Sequence, residues 1–273
     1  MSLNDRIDRN EETEGDERSP AVRRKREPRH YPQEGVAVTC RSFREYEAMF
    51  ALEETRLARG AVLNVAGGAS SFTAEAAARG YEAFAADPRY AKTPDELYRE
   101  SAEEIAASTS KLERLKDKFD WSFYGSLTEH RINREASLER FIDHYRSEAG
   151  RSRNRGRDGD RRPAYTAAAL PELPFPDETF ELVLCSHFLF LYEEQFPYEF
   201  HRDALLELYR VVRPGGEIRI YPVYSLRFAK YARLDELLRT LTEDRGAAAE
   251  LLPSRLPFLP GSTELLKIAK PTL

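Results

Sequence analysis

The chain has 273 residues, 42 Lys and Arg against 47 Asp and Glu, and a formal net charge of −5. Residues 1–30 hold eight charges of each sign, and residues 151–163 hold six Arg and two Asp, which leaves −9 on the rest of the chain. That remainder has the composition of an ordinary globular domain. No apolar run reaches the ~18 residues of a membrane span. The two cysteines exclude a disulfide scaffold and favour a reduced, cytoplasmic setting.

The first elements follow a charged N-terminal segment. Residues 1–34 have too few apolar side chains to repay the entropy of ordering, so a disordered tail is expected there. This segment also lacks the apolar core of a secretory signal. Apolar residues at helical spacing then predict a helix from an N-cap at Ser42 to Arg59, with Gly60 as its C-cap.

Two buried strands are predicted next, at 61–65 and at 81–87. The first ends in a glycine turn, and the second ends at Asp87. A short helix closed by Gly80 joins them. A strand, helix and strand in this order predict a parallel pair with a right-handed crossover.

A long helical block, residues 91–163, separates these strands from the rest of the fold. Apolar positions mark one helix over 94–118 and a second over 126–149, and the Arg-rich segment 151–163 should be a flexible loop. The block follows the carboxyl end of the second strand, which is the edge where such sheets bind ligands. It is therefore expected to form either a lid over a pocket or a helical hairpin packed on the domain. Three aromatic side chains between the helices would line a substrate surface in the first case and form the hairpin core in the second: Trp121, Phe123 and Tyr124.

The remaining chain alternates strands and helices again, which predicts an α/β fold with a doubly wound, mostly parallel sheet. An antiparallel hairpin, AAELLPSRLPF joined to ELLKIAK through LPGST, should close the sheet. Residues 35–273 would then form one domain that carries the inserted helical subdomain. The other expected elements are strands at 164–170, 180–186 and 217–223, a turn at RPGG, and helices at 199–212 and 232–246.

Four segments in this order resemble the class I S-adenosylmethionine-dependent methyltransferases of the methyltransferase type 11 kind. They are VLNVAGGAS at 62–70, FAADP at 84–88, LPFPDETFELVLCSHFL at 173–189 and LLELYRVVRPGGEIRIYPV at 205–223. The resemblance implies a Rossmann-like fold with S-adenosylmethionine as cofactor. The block at 91–163 is longer than this family usually carries between its second and third strands.

The resemblance also implies a cofactor site at the carboxyl ends of the strands. There, the Asp87 carboxylate would accept hydrogen bonds from both ribose hydroxyls, and the amides of the helix that follows the glycine turn would suit the methionine carboxylate. The residues assigned to the cofactor are Asn64, Ala66, Gly67, Gly68, Ser70, Asp87, Pro88, Ala169, Leu170 and Ser186.

The sequence departs from the family pattern at three of these positions. Asn64 stands where the family usually has an acidic residue, and Ala66 stands where it has a glycine. Alanine suits that turn only if its φ is negative. Ala169 occupies the position of an Asp that often meets the adenine amino group, so a backbone contact would have to hold the adenine.

The histidines give one catalytic candidate. His187 follows the fourth strand, so it is interpreted either as a general base or as a positioning residue beside the cofactor. Cys185, two residues earlier, should be a core residue. Three other histidines have no metal-ligand spacing, so no metal site is predicted and they are interpreted as residues of solvated helix faces: His130, His144 and His201.

Two classes of function remain open from the sequence. The first is a methyltransferase that acts on a small molecule, or on RNA if the Arg-rich segments contact phosphates. The second is a non-catalytic binding protein with a methyltransferase-like fold, since the glycine turn is degraded. A third class, a nicotinamide-dependent reductase, is less favoured, because there is no Tyr-x-x-x-Lys pair and the adjacent Gly67 and Gly68 do not fit G-x-G-x-x-G. No membrane partner is expected, and the sequence does not determine an oligomeric state.

Overall fold

A computed structural model describes residues 30–153 and 162–272. In this part of the chain, one mixed sheet of seven strands runs in the order β3-β2-β1-β4-β5-β7-β6. The strands are β1 Val62–Val65, β2 Ala83–Ala86, β3 Tyr165–Thr166, β4 Phe180–Ser186, β5 Val212–Tyr221, β6 Ala248–Pro253 and β7 Glu264–Ala269.

The direction of strand order reverses between β1 and β4, which are parallel neighbours with Val62 opposite Leu182. β1 also pairs in parallel with β2, so the predicted parallel pair is confirmed. β5 pairs with β7, and β7 with β6, in antiparallel fashion, which confirms the closing hairpin. In a sheet of this kind, ligands bind beyond the carboxyl ends of the strands next to the reversal point.

Helices cover both faces of this sheet, as its parallel strands require. On β4, Leu182 packs in the cluster that holds α1 and α3, whereas Val183 packs in the cluster that holds α6 and α7. This double coverage explains why β4 is buried along its whole length and is mainly apolar. The helices are α1 Phe43–Met49, α2 Glu54–Leu57, α3 Phe72–Ala78, α4 Pro94–Leu115, α5 Leu127–Arg153, α6 Tyr198–Val211 and α7 Leu234–Arg245.

The predicted single helix from Ser42 to Arg59 is wrong, because α1 and α2 are separate. Ser42 does cap α1, in a capping box with Glu45. The helix ends early because Arg219 of β5 donates hydrogen bonds to the carbonyls of residues 50 and 51, at 2.8 and 3.0 Å. Gly60 is not a C-cap, since α2 ends at Leu57 with Ala58 as its cap.

The predicted helices at 94–118 and 126–149 are confirmed as α4, which continues into a 3₁₀ turn at Lys116–Lys118, and α5. α5 has 27 residues, so it spans about 40 Å. Residues 154–161 of the Arg-rich segment lie outside the described part. Arg162 lies 5.0 Å from the rings of both Phe84 and Phe180. Phe180 begins β4, so this arginine lies toward the amino ends of the strands, away from the ligand edge.

Two strand boundaries differ from the predicted ones. The strand expected at 164–170 is only Tyr165–Thr166, an edge strand paired with the last residues of β2. β5 begins at Val212, so the expected RPGG turn lies within a strand. Its register against β4 shifts between Phe180 and Leu182, which accommodates the two glycines as an irregularity in the pairing.

The end of the predicted tail is also ordered on the domain. Tyr31 donates its backbone N–H to the Leu226 carbonyl at 2.9 Å, and its ring packs edge-on against Phe119. The boundary at residue 34 is therefore too late, and residues 1–29 lie outside the described part. Within the described ranges, no helix is both long enough and apolar enough to cross a membrane.

Candidate functional site

The glycine turn lies where β1 ends, at the carboxyl edge of the sheet. Gly68 has a φ of +54°, which favours glycine, and a Cβ there would lie only 3.0 Å from the Thr39 carbonyl oxygen, so the space also favours glycine. Ala66 has the same φ of +54°. Ala66 is therefore strained, because alanine suits this turn only with a negative φ.

We expect Ala66→Gly to stabilise the fold. An L-residue in this left-handed conformation costs about 1–2 kcal/mol, and glycine loses about 0.5–1 kcal/mol through the entropy of the unfolded chain. The net gain is up to about 1 kcal/mol, which thermal unfolding would record as a Tm higher by about 2–4 °C. Ala69→Gly is the matched control, because Ala69 is buried and has no positive φ, so it should lower Tm. A lower Tm for Ala66→Gly would contradict the assignment of strain.

Asp87 follows β2 and is tied to the glycine turn. Its Oδ2 accepts a hydrogen bond from the Gly68 N–H and its Oδ1 accepts one from the Arg89 N–H, both at 2.9 Å. Burial raises the pKa of Asp87, although these hydrogen bonds and the Arg89 charge oppose the rise. A carboxylate has about four acceptor positions, so each oxygen can still accept a hydroxyl.

A cavity of about 210 Å³ opens beside Asp87 at the ends of the strands. Half of the residues assigned to the cofactor line it together: Ala66, Asp87, Pro88, Ala169 and Leu170. A set of lining residues that sequence reasoning missed comes from distant parts of the chain: Val36, Arg89, Phe188, Phe196 and Phe200. A sequence signal was available for Phe196 and Phe200, because two aromatic residues four apart at the start of a helix can contact each other. In the structure their rings stack with centroids 4.3 Å apart.

Asn64 and Gly67 do not line this cavity. The Asn64 Oδ1 accepts a hydrogen bond from the Tyr46 hydroxyl at 3.0 Å, while its buried Nδ2 has no partner in the described ranges. A Cβ on Gly67 would lie 2.7 Å from the Tyr90 hydroxyl. The glycine therefore makes room for a tyrosine that donates to the Gly68 carbonyl at 2.9 Å.

The amides at the start of α3 are not free, contrary to the prediction. The Ala69 and Ser71 N–H groups donate to the carbonyls of Thr39 and Arg41, both at 3.0 Å. The Ser70 hydroxyl donates to the Arg41 carbonyl as well. The chain segment 39–41 thus occupies the groups that were expected to hold a methionine carboxylate.

His187 and Ser186 also lie outside the cavity beside Asp87. The His187 Nδ1 lies 3.0 Å from the Ser186 hydroxyl, and its ring lines a different cavity. Burial, together with the charges of Arg41 and Arg134, lowers the pKa of His187 well below its usual range. A neutral imidazole next to two arginines is better suited to orienting a ligand than to carrying a proton. Cys185 is fully buried in the core, as predicted.

This different cavity, called here the inner cavity, has a volume of about 120 Å³. Its walls are the N-terminal segment 37–41, helices α4 and α5, and the loop after β4. Consecutive residues face the two cavities: Val36 and Phe188 line the one beside Asp87, whereas Ala37 and His187 line the inner one. The two cavities are therefore neighbours across a thin wall.

A buried charged cluster forms one side of the inner cavity. The Glu45 Oε1 accepts hydrogen bonds from Arg41, Arg134 and the Tyr124 hydroxyl, and Ser42 donates its N–H to Oε2 at 2.8 Å. Burial alone would raise the pKa of Glu45, but the two arginines and these hydrogen bonds lower it to about 2. The cluster joins α1 to α5 and holds the inserted helices against the sheet domain.

The aromatic residues between α4 and α5 belong mainly to the core. Tyr124 is buried, and Trp121 and Phe123 are partly buried and pack against the same core cluster. None of the three lines the inner cavity in the described ranges, where Phe119 and Leu112 do so instead. These three aromatics therefore pack in a core, as expected for a helical hairpin on the domain. The helices α4 and α5 themselves form a wall of the inner cavity.

Two histidines predicted on solvated faces are buried, which corrects that interpretation. His130 is 3% exposed and stacks on Phe258, and His201 is 1% exposed and stacks on Tyr231. Both rings take the place of apolar side chains on the packed sides of their helices. Among the described residues, no group of three or more His, Cys, Asp or Glu could hold a metal ion.

Comparison with known proteins gives two sequence matches. A family profile described as a methyltransferase domain matches residues 141–220, from the middle of α5 to β5. The uncharacterized protein MJ0045 of Methanocaldococcus jannaschii is 32% identical over 200 residues, which are 73% of this chain and 83% of that protein.

Similar solved structures include an O-methyltransferase family protein from Burkholderia thailandensis, at 13% identity and a TM-score of 0.44. The match covers 84% of this chain and 57% of that one. The PH0226 protein from Pyrococcus horikoshii matches at 15% identity and a TM-score of 0.38, over 83% of this chain and 89% of that one.

Proposed function

Because the chain belongs to the class I S-adenosylmethionine-dependent methyltransferases, we propose that it methylates a small molecule. The observation that carries this proposal is the pair of neighbouring cavities at the carboxyl edge of the sheet. The cavity beside Asp87 would take the adenosine part of the cofactor, and the inner cavity would take the methyl acceptor.

The residues beside Asp87 fit an adenosine. The carboxylate retains acceptor positions for the two ribose hydroxyls. Ala169 and Leu170 line the same cavity, and their backbone would contact the adenine where the family often has an Asp side chain. Phe188 adds an aromatic ring, which would pack on the base.

The methionine part would be held differently from the family pattern. The amides of Ala69 and Ser71 are bonded within the chain. The buried Asn64 Nδ2, on β1 next to Gly67, has no hydrogen-bond partner in the described part, so it would donate to the carboxylate if the glycine turn that covers it opened. This supports cofactor binding with a neutral amide at a position that is usually acidic.

S-Adenosylmethionine supplies a methyl group on a positively charged sulfur that is already activated for transfer. The protein then has to align the acceptor and exclude water, which are effects of position rather than of proton transfer. The inner cavity is enclosed by the inserted helices, and this supports both roles. His187, on the wall between the cavities, would orient the acceptor as a neutral imidazole.

Methyl transfer from labelled S-adenosylmethionine tests this proposal. The protein is incubated with the cofactor and with separate low-molecular-mass and RNA fractions of a cell extract. We expect label only in the low-molecular-mass fraction, because Arg162 lies toward the opposite edge of the sheet. Label in RNA would contradict the small-molecule proposal, and an absence of label in both fractions from a protein that binds the cofactor would favour a non-catalytic binding protein.

A further inference from the structure

We propose that the inner cavity binds a small amphoteric molecule with an apolar body, an anionic group at Arg41 and His130, and a hydrogen-bond donor at Glu104. Its role as the methyl-acceptor site depends on the proposed function, whereas the binding itself does not. The ligand class follows from unpaired polar atoms, net charge and shape within this one cavity.

The end of the inner cavity next to the charged cluster has two buried polar atoms without partners in the described part of the chain. Arg41 is 6% exposed and His130 is 3% exposed, and both line the cavity. Neither the Arg41 Nε nor the His130 Nδ1 has a hydrogen-bond partner among the residues that the structure describes. Buried polar groups are normally paired, so two unpaired atoms around one cavity point to an absent ligand.

The charge at this end favours an anion. Arg41 and Arg134 share the single carboxylate of Glu45, which leaves one positive charge in the cluster. His130 adds none, because burial and the two arginines lower its pKa to about 2. A carboxylate beside Arg41 would neutralise the excess charge and accept the free Nε–H.

The other end of the inner cavity offers an acceptor. Glu104 of α4 lines it, and the Glu104 Oε1 is buried without a hydrogen-bond partner in the described part of the chain. Glu104, Tyr31 and Tyr192 also line an outer surface cleft, so the cavity opens there. Lys111, on the same cleft, already donates to Gln33 at 2.7 Å. An amine or hydroxyl of the ligand would therefore meet Glu104 near the entrance.

The inner cavity also has apolar walls. Leu112, Phe119 and Phe258 line it, and its volume of about 120 Å³ is close to that of a cavity of about 150 Å³ that accepts benzene. A single ring is therefore the largest body that the inner cavity holds, and the substituent that meets Glu104 would extend toward the outer cleft. Benzoate, benzylamine and 4-(aminomethyl)benzoate are suitable probes, since they carry the anion, the cation and both groups on the same ring.

Ligand-observed NMR titration of the full chain with each probe tests the proposal without cofactor. We expect 4-(aminomethyl)benzoate to bind most tightly and benzoate to bind at millimolar concentration. Arg41→Lys keeps the charge next to Glu45 but removes the free Nε–H, so benzoate should bind about 10-fold more weakly. Glu104→Gln should weaken benzylamine about 10-fold and leave benzoate unchanged.

His130→Phe separates a binding role from a structural one. Phenylalanine keeps the stacking on Phe258 and removes the unpaired Nδ1, so Tm should stay the same or rise while benzoate affinity falls. Glu243→Gln, on the exposed face of α7, makes the same charge change as Glu104→Gln and should alter neither probe.

Either of two results would overturn this proposal: no probe binds at millimolar concentration, or the Arg41, His130 and Glu104 variants bind all three probes as the wild type does. S-Adenosylmethionine binding is measured separately on the same preparations. A protein that binds the probes but not the cofactor would refute the proposed function alone, and the reverse would refute this inference alone.

Discussion

Asp87→Ala is expected to weaken the binding of S-adenosylmethionine at least about 100-fold, as measured by calorimetric titration. The substitution removes the acceptors for both ribose hydroxyls, and each hydrogen bond to a charged group contributes about 1.5–3 kcal/mol. It also removes the carboxylate that fixes the glycine turn through the Gly68 N–H. Both effects act on the cavity that we assign to the adenosine.

The controls for this result separate binding from folding. Asp87→Asn keeps one acceptor oxygen and the shape of the side chain, so its loss of affinity should be intermediate. Asp235→Ala removes an exposed carboxylate in the first turn of α7 and should bind as the wild type does. An unchanged affinity in a folded Asp87→Ala protein would show that the cofactor lies elsewhere.

Glu45→Gln should lower the free energy of unfolding by about 3–5 kcal/mol, because it leaves two buried arginines without their shared carboxylate. Denaturant unfolding near neutral pH measures this loss. Glu54→Gln, an exposed change at the start of α2, is the matched control and should stay within about 0.5 kcal/mol of the wild type. A loss below about 1 kcal/mol would mean that the cluster does not hold the inserted helices.

The same cluster predicts a dependence on pH. The pKa of Glu45 falls from 4.5 to about 2 on folding. Its contribution to stability is therefore complete above pH 4.5 and is lost as the pH falls toward 2. The gap in stability between the wild type and Glu45→Gln should narrow over that range. A gap that stays constant down to pH 3 would contradict the lowered pKa.

The sequence predicted correctly those elements whose apolar pattern reflects their own burial. β4 was predicted because both of its faces are covered, so Leu182, Val183, Leu184 and Cys185 form a continuous apolar run. The break after α1 was not predictable, because Arg219, about 170 residues away in sequence, holds the carbonyls that end the helix. β3 was predicted too long because its length depends on how much of β2 remains to pair with it.

The candidate site was also predictable only in part: the cavity beside Asp87 was expected, and the inner cavity was not. Asp87, Ala169 and Leu170 follow strands, so the topology of the sheet brings them to one cavity. The inner cavity was not predicted because its walls come from five separate parts of the chain. His130 had the pattern of a helical surface residue, and only the packing of α5 against Phe258 shows that it is buried.

The central claim is that the cavity beside Asp87 holds S-adenosylmethionine. Calorimetric titration of the wild-type chain with S-adenosylmethionine, and with its demethylated product, tests this most directly. We predict one site per chain with a Kd of about 1–100 μM for both ligands. The absence of binding for either ligand at millimolar concentration would contradict the claim.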